Sequence, residues 1–300
     1  MARLLIFGSK GWIGKQVLDI AHTRKEIDCV IETDVRANDI EAVKRQLDTW
    51  LPTHVISTIG RTHGEINGKQ IPTIDYLEYP GKLTENIRDN LFSPIILAKL
   101  CSERNIHFTY LGTGCIFEYQ TGHTFTEDSK PNFFGSEYSI VKGFTDQLMS
   151  LYESTTLNVR IRMPITATPN PRDFITKILG YEKICSVDNS MSVLDDLLPL
   201  MVDMAITKKT GTINLTNPGT ISHAEILEMY KELVDPTITW NLMSYEEQSA
   251  LLKSKRSNNE LDTSKLLSWY PNVPHIRNAV RKVLTSRIMV WLAWDRKFMS

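Results

Sequence analysis

Between residues 3 and 163, short apolar β-rich runs alternate with amphipathic stretches, and this alternation limits the fold more than any other feature. RLLIF (3–7) passes through a glycine turn into the helical pattern GKQVLDIAHTR, and DCVIE (28–32) precedes DIEAVKRQLDTW (39–50). THVISTI (53–59), NIRDNLFSPIILAKLCSERN (86–105), HFTYL (107–111), SEYSIVKGFTDQLMSLYES (136–154) and NVRIRM (158–163) continue the series. Nearly all-apolar strands are buried on both faces, and the helical stretches between them are long enough to serve as crossovers. The order predicts an α/β fold, a Rossmann-like doubly wound parallel sheet with helices on both sides. After Pro164 the rhythm changes: TATPNPRDF is proline-rich, and only GTINLT (211–216) is expected to rejoin the sheet. The expected division is a dinucleotide-binding unit over 1–164, rejoined by 191–216, and a smaller C-terminal substrate lobe from 165–190 and 217–300. Ligands of such folds lie beyond the carboxyl ends of the strands, so the site is expected in a cleft between the two units.

Several function classes lack support. With 34 basic and 35 acidic residues in 300, the net charge is −1, which gives no footprint for nucleic acid or for an anionic membrane. Cys29, Cys101, Cys115 and Cys185 are far apart, with no C-x-x-C pair, so neither a metal site nor a disulfide framework is expected. Reduced thiols in a cytoplasmic setting fit better. The initial run LLIF is too short for the core of a secretion signal. IMVWLAW (288–294) falls short of the ~20 residues that span a bilayer, and is expected to dock or to form an oligomer contact.

GSKGWIG places Gly8, Gly11 and Gly14 between a strand and a helix, with Lys10, Trp12 and Ile13 in the same turn. Such a turn lets backbone N–H groups approach a pyrophosphate at the positive end of a helix. A glycine triplet alone is often only a tight turn; here the alternating context points to a dinucleotide. Glu32 or Asp34 would suit the ribose hydroxyls of NADH, whereas Arg36 and Lys10 would neutralise the 2′-phosphate of NADPH. NADPH is favoured, with NADH the alternative. Tyr138 and Lys142, four apart in YSIVK, share one helix face. An ammonium there favours the ionised phenol, which gives its proton to a carbonyl oxygen as hydride arrives. Y-x-x-x-K is a weak signal alone. With the glycine turn and Thr113 it becomes the pattern of the short-chain dehydrogenase/reductase superfamily.

The stretches GCIFEY, PNFFGSEYSIVKG, RIRMPI, NPRDFITKI, YEKI, NSMSVLDDLLP, LTNPGTISHAEILEMY and RSNNELD sharpen this. From about residue 3 to about 283, the chain resembles the bifunctional UDP-4-keto-6-deoxyglucose 3,5-epimerase/4-reductases of UDP-L-rhamnose synthesis. The resemblance implies an extended reductase fold, NADPH and a UDP-sugar substrate. Carbons 3 and 5 flank the 4-carbonyl, so one site that grips the 4-oxygen with Tyr138 and Thr113 can first stabilise an enolate and then accept hydride. Epimerisation also needs a proton-exchanging pair. Cys115, just past a strand end, suits one role when its surroundings favour the thiolate, although a lone cysteine is more often packing.

The other roles follow from the resemblance alone. Lys183 in YEKI matches the family's epimerising lysine, and partial desolvation would fit it for proton exchange. Asn90 matches the superfamily asparagine that orders the Tyr/Lys site. Thr58, Gly60, Arg61 and Pro164 fall where this fold lines the cofactor. Arg256, Asn258 and Asn259 match a sugar-nucleotide segment, with Arg172 and Lys177 assisting. A homodimer is expected by analogy. Two alternatives stay open: a monofunctional 4-dehydrorhamnose reductase, and a non-catalytic NADP-binding regulatory subunit.

Overall fold

In the computed structural model, which describes residues 1–118, 120 and 122–298 (side chains only as far as Ile288), six strands form the main sheet. They are β1 Ala2–Phe7, β2 Ile27–Thr33, β3 His54–Ser57, β4 His107–Thr113, β5 Thr156–Ile161 and β6 Gly211–Asn214. Their order is β2-β1-β3-β4-β5-β6, and every neighbouring pair is parallel. The chain winds outward from β1 to β2, then crosses back to β3 and continues to β6. The switch point therefore lies between β1 and β3, and a crevice opens beyond their carboxyl ends. Burial follows this order: β3, β4 and β5 are buried throughout, whereas the edge strand β2 is only partly covered.

Helices α1 (Trp12–Thr23) and α2 (Ile40–Trp50) follow β1 and β2. In α2 the side chain of Asp39 accepts from Ala42 N (3.0 Å), and Val43 and Leu47 give the one-turn spacing that seats the helix on the sheet. After β3 a hairpin, Gly64–Ile66 with Lys69–Ile71, turns through Asn67 and Gly68, both at positive φ. That is the conformation a two-residue hairpin loop requires. Helices α3 (Lys82–Ile87) and α4 (Ser93–Ser102) are joined by a π-helical turn, Arg88–Phe92, ahead of Pro94. The interval 86–105, expected as one helix, is interrupted by that turn.

Helix α5 (Glu137–Met149) is capped by Ser136 and packs beside α3 and α4. The remaining helices are α6 (Phe174–Leu179), α7 (Leu194–Ile206), α8 (His223–Leu233), α9 (Tyr245–Leu251), α10 (Ser264–Trp269) and α11 (Ile276–Phe298). One face of the sheet packs on α1, α7 and Leu266 of α10, and the other on α2 and α4. A separate apolar cluster joins α6, α8 and the first turns of α11 beyond the strand ends. Asp173, fully buried at the start of α6, accepts from Thr176 N (2.8 Å) and Arg287 Nη2 (2.6 Å), which fixes α6 against α11. The docking role expected of 288–294 falls on side chains that, after Ile288, lie outside the described residues. Among the described residues no helix is long and apolar enough to cross a membrane, and no cluster of His, Cys, Asp and Glu could hold a metal ion.

Candidate active site

At the crevice, Gly8 takes φ +83°, and a Cβ at Gly14 would sit 2.0 Å from Gly8 O, so the turn and the first turn of α1 are in backbone contact. Thr58 Oγ1, on the β3 side, donates to Gly8 O (3.1 Å) and closes the switch point. Helix α1 starts at Gly11 with no side-chain cap and no acidic residue in its first turn, whereas α2, α5 and α6 each carry a side-chain cap. Ser9 Oγ is buried in the turn without a hydrogen-bond partner. Uncapped N–H groups, an orphaned hydroxyl and a cradle that excludes side chains fit a dinucleotide pyrophosphate. Lys10 lies 2.8 Å from the Asp34 carboxylate, whereas Arg36 is exposed and forms no ion pair among the described residues. Gly60 is exposed and Pro164 half-buried near the same strand ends. Asn90 sits in the π turn and is spent on the backbone: it accepts from Arg61 N and donates to Arg61 O, both 2.9 Å, and donates to Asn86. Arg61 itself is tied to Asp89 (2.9 Å). These two side chains brace the loop after β3.

The carboxyl end of β4 brings four expected residues together. Thr113 Oγ1 accepts from Cys115 N (3.1 Å), which fixes the turn and leaves the hydroxyl hydrogen to donate outward. Half-buried Cys115 packs in one apolar cluster with Tyr138, Tyr76 and Leu77, roofed by Ile66 and Ile71 of the hairpin. Burial, then the neighbouring Cys115, pushes the Tyr138 phenol well up, and the Thr113 hydroxyl works against this. Lys142, expected beside Tyr138, donates its buried ammonium to the Tyr110 hydroxyl, and burial brings its pKa down to about 8. Tyr138 is thus held as a proton donor, because a phenol that loses water keeps its proton.

Beyond this cluster lies a cationic rim. Arg256 Nη2 donates to Asp75 (2.5 Å) beside Tyr76. Burial pushes the Asp75 carboxyl up, but Arg256 and donors from Thr73 and Ser254 outweigh it and hold it low. Arg172 contacts the His63 ring (2.8 Å), whose pKa falls to about 4 through burial and then the charges of Arg172, Arg61 and Lys177. Lys177 of α6 is half-buried, and burial followed by Arg172 lowers its pKa. Lys183, by contrast, is exposed on a two-residue strand paired with Asn241–Leu242, so the desolvation expected of it is not found. Asn258 and Asn259, matched to a sugar-nucleotide segment, are both buried and bonded within the fold. Asn258 accepts from Asn189 (3.0 Å), and Asn259 donates to Gly114 O (3.0 Å), Phe117 O (3.3 Å) and Ser257 Oγ (3.0 Å). The Asn259 amide pins the Cys115 turn.

Sequence reasoning missed His63, Asp75, Tyr110 and Arg162. Arg162 carried a signal: two arginines two apart in a strand that is otherwise buried and apolar demand internal partners. Arg160 finds Asp146 (2.7 Å).

No family model matches the chain. A bifunctional dTDP-4-dehydrorhamnose 3,5-epimerase/dTDP-4-dehydrorhamnose reductase of Arabidopsis thaliana is 38% identical over 287 residues, 93% of this chain and 91% of the relative. The chain belongs to the bifunctional 3,5-epimerase/4-reductase family. A crystal structure of the UDP-rhamnose synthase of Acanthamoeba polyphaga mimivirus is 52% identical, with a TM-score of 0.90 over 95% of this chain and 99% of that one. The dTDP-4-dehydrorhamnose reductase of Bacillus anthracis, solved in complex with NADP, shares the fold at 17% identity and TM-score 0.77, over 94% of this chain and 98% of that one. The 3,5-epimerase/4-reductase family therefore accounts for both features of the β4 end: a phenol and hydroxyl suited to a carbonyl, and a thiol beside them.

Proposed function

We propose that this chain converts UDP-4-keto-6-deoxy-D-glucose to UDP-L-rhamnose by 3,5-epimerisation followed by NADPH-dependent reduction of the 4-ketone. The observation that carries the reading is the packing of the Cys115 thiol against Tyr138, one turn beyond the Thr113 hydroxyl. Tyr138 and Thr113 donate to the 4-oxygen. As a base removes the proton from carbon 3 or 5, the C–H electron pair becomes the enolate double bond and charge moves onto that oxygen, where both donors stabilise it. A proton returned to the opposite face re-forms the C–H bond and completes each inversion.

Cys115, as thiolate, and a lysine ammonium are the exchanging pair: one takes a proton, the other gives one, and solvent restores both. The lysine that the resemblance implies is Lys183, exposed on its two-residue strand, whereas Lys177 lies half-buried among the cations of the rim. When bound, NADPH supplies hydride to carbon 4. Tyr138 gives its phenol proton to the 4-oxygen, and the buried Lys142, through Tyr110, keeps positive charge within the same helix–strand layer. Arg256, Arg172 and Lys177 form a cationic rim suited to the substrate diphosphate.

The glycine turn, with Gly8, Lys10, Gly11, Trp12, Ile13 and Gly14, and the strand ends at Thr58, Gly60 and Pro164 would hold the cofactor, with Asn90 bracing the Arg61 loop. Arg36, free of ion pairs among the described residues, would meet a 2′-phosphate. The division into a dinucleotide-binding unit (1–164 with 191–216) and a substrate lobe (165–190 and 217–300) stands as part of this reading. So do a cytoplasmic location, supported by four unbonded cysteines, and a homodimer. Incubating the protein with the 4-keto sugar and no reduced cofactor tests the epimerase half: deuterium should enter carbons 3 and 5 above the buffer control. Adding NADPH should then give UDP-L-rhamnose by NMR, and a product retaining the D-gluco configuration at those carbons would sink the reading.

A further inference from the structure

Arg160 in β5 and Arg162 just beyond its end are both buried, and of the two only Arg160 forms an ion pair among the described residues. Arg160 makes a two-pronged contact with Asp146, at 2.9 and 2.7 Å. Arg162, 1% exposed, spends its guanidinium on neutral acceptors. Nη1 donates to Gly114 O (2.9 Å), Nε to Ser190 O (3.2 Å), and Nη2 to Ser257 O (2.9 Å) and Asn189 Oδ1 (2.5 Å). It forms no ion pair among the described residues. A buried charge without a counter-ion costs several kcal/mol, and tethering a loop does not require a charge. Uncharged donors could serve four carbonyl-type acceptors, as the Asn259 amide already serves Gly114 O.

The position of this charge suggests its use. Gly114 directly precedes Cys115, and a Cβ on Gly114 would meet Arg162 Cγ at 3.0 Å and Cδ at 3.1 Å, so the arginine stem lies against the turn. The titratable and charged groups around the thiol are Tyr138 and Lys142 from α5, Tyr76 from the 74–78 turn, and Arg162 from the end of β5. The hairpin adds Ile66 and Ile71, and the 257–259 segment adds backbone and amide groups. Asp146, the carboxylate nearest Lys142, is already engaged by Arg160.

We propose that Arg162 is a positioning residue for the epimerase half-reaction: its guanidinium anchors the Gly114–Cys115 turn and presents an uncompensated positive charge to the Cys115 thiolate. This rests on the reading of Cys115 as a proton-exchanging group. Reduction does not need that thiolate, so the charge should matter to exchange and much less to hydride transfer.

The test is deuterium entry at carbons 3 and 5 as a function of pH, alongside reduction of a pre-epimerised 4-ketone by NADPH. The variants are Arg162→Lys, Arg162→Gln and Asn189→Asp. Asn189→Asp keeps Oδ1 as an acceptor from Arg162 and gives the guanidinium a carboxylate, at the cost of the amide that donates to Val187 O and Asn258 Oδ1, and its reduction of the pre-epimerised ketone reports whether the fold survives. Losing a nearby positive charge disfavours a thiolate, so Arg162→Gln and Asn189→Asp should each move the acid limb of exchange up by about one pH unit, roughly tenfold slower below the limb. Arg162→Lys should leave the limb within about 0.3 unit, because the charge remains. Reduction by Asn189→Asp should fall less than exchange does, because hydride transfer does not use the thiolate. Should Arg162→Gln not fold, Asn189→Asp decides alone. Unmoved limbs, or exchange and reduction falling together, overturn the inference. A wild-type protein that exchanges no deuterium overturns the epimerase reading as well.

Discussion

The ammonium of Lys142 is buried, bonded to the Tyr110 hydroxyl and, through burial, has its pKa brought down to about 8 from an ordinary 10.5. Between those values the unfolded chain binds more protons than the folded one, so this residue's contribution to stability rises with pH across the window. Below about pH 8 both states are charged and the folded protein bears the full burial cost. Replacing Lys142 with Met removes that cost. Relative to wild type, Lys142→Met should therefore look most stable near pH 7 and lose ground on the order of 1–3 kcal/mol by pH 10. Urea unfolding at the two pH values checks this, and a constant difference would contradict it. The two candidate lysines separate as cleanly. Cys115→Ala and Lys183→Met should each depress deuterium exchange by roughly 100-fold or more, the usual weight of a general acid or base. Lys177→Met should instead raise the KM for the sugar nucleotide, as expected of a cation on the diphosphate rim. Exchange that survives in Lys183→Met and fails in Lys177→Met would move the role to the half-buried lysine. A motif match carries no burial, so the sequence alone does not separate the two. YEKI and ITKI both offer a lysine, and only the fold distinguishes the exposed one from the half-buried one.

At the level of elements, the glycine turn is the part whose geometry permits the sharpest expectation. An alanine at 14 would place Cβ 2.0 Å from Gly8 O, 2.8 Å from Gly8 C and 2.9 Å from Ser9 Cα, all of it backbone that cannot rotate away. Gly14→Ala should cost about 1–3 kcal/mol in stability and weaken NADPH at least roughly tenfold, because the turn must move off the start of α1. Gly11→Ala, 3.2 Å from a single oxygen, should be milder. NADPH fluorescence titration ranks them, and equal affinities would show that α1 and the turn are not coupled. This element was legible in the sequence because a strand, three glycines and a helix are local signals, as were the Tyr138/Lys142 spacing and the strand at Thr113. The π turn around Asn90 was not, since 86–105 reads as an uninterrupted helical pattern and the break serves a distant loop. Nor was the strand order, because apolar strands look alike whichever neighbour they choose. Arg162 was legible as a charge that needs partners, but the partners, carbonyls at 114, 190 and 257, are far apart in sequence.

For the whole molecule, the same helix that carries the candidate active-site phenol also shows an apolar stripe to solvent. Tyr138 and Lys142 point into the protein from α5, whereas Phe144 (54% exposed) and Leu148 (36%) lie one turn apart on its outer side and Leu151 (72%) follows in the turn Ser150–Tyr152. Beside it, α3 exposes Leu83 and Ile87 one turn apart, and Phe92 follows in the π turn. Two packed helices with matching apolar stripes form a patch that suits a second copy of the same surface, related by a twofold axis. A four-helix contact of that kind can supply the roughly 800 Å² per partner typical of stable dimers. It would also brace α5 from outside, so that assembly and the placement of Tyr138 are linked. Sedimentation velocity at about 10 µM should then show a species of two chains, and Phe144→Asp, which puts a charge at the centre of the patch, should shift it to one chain. If α5 depends on that bracing, the monomer should also lose keto-sugar reduction by roughly tenfold, about the effect of 1.4 kcal/mol. A wild-type protein that sediments as a single chain would assign the stripe to another partner, and a fully active monomer would separate assembly from the chemistry.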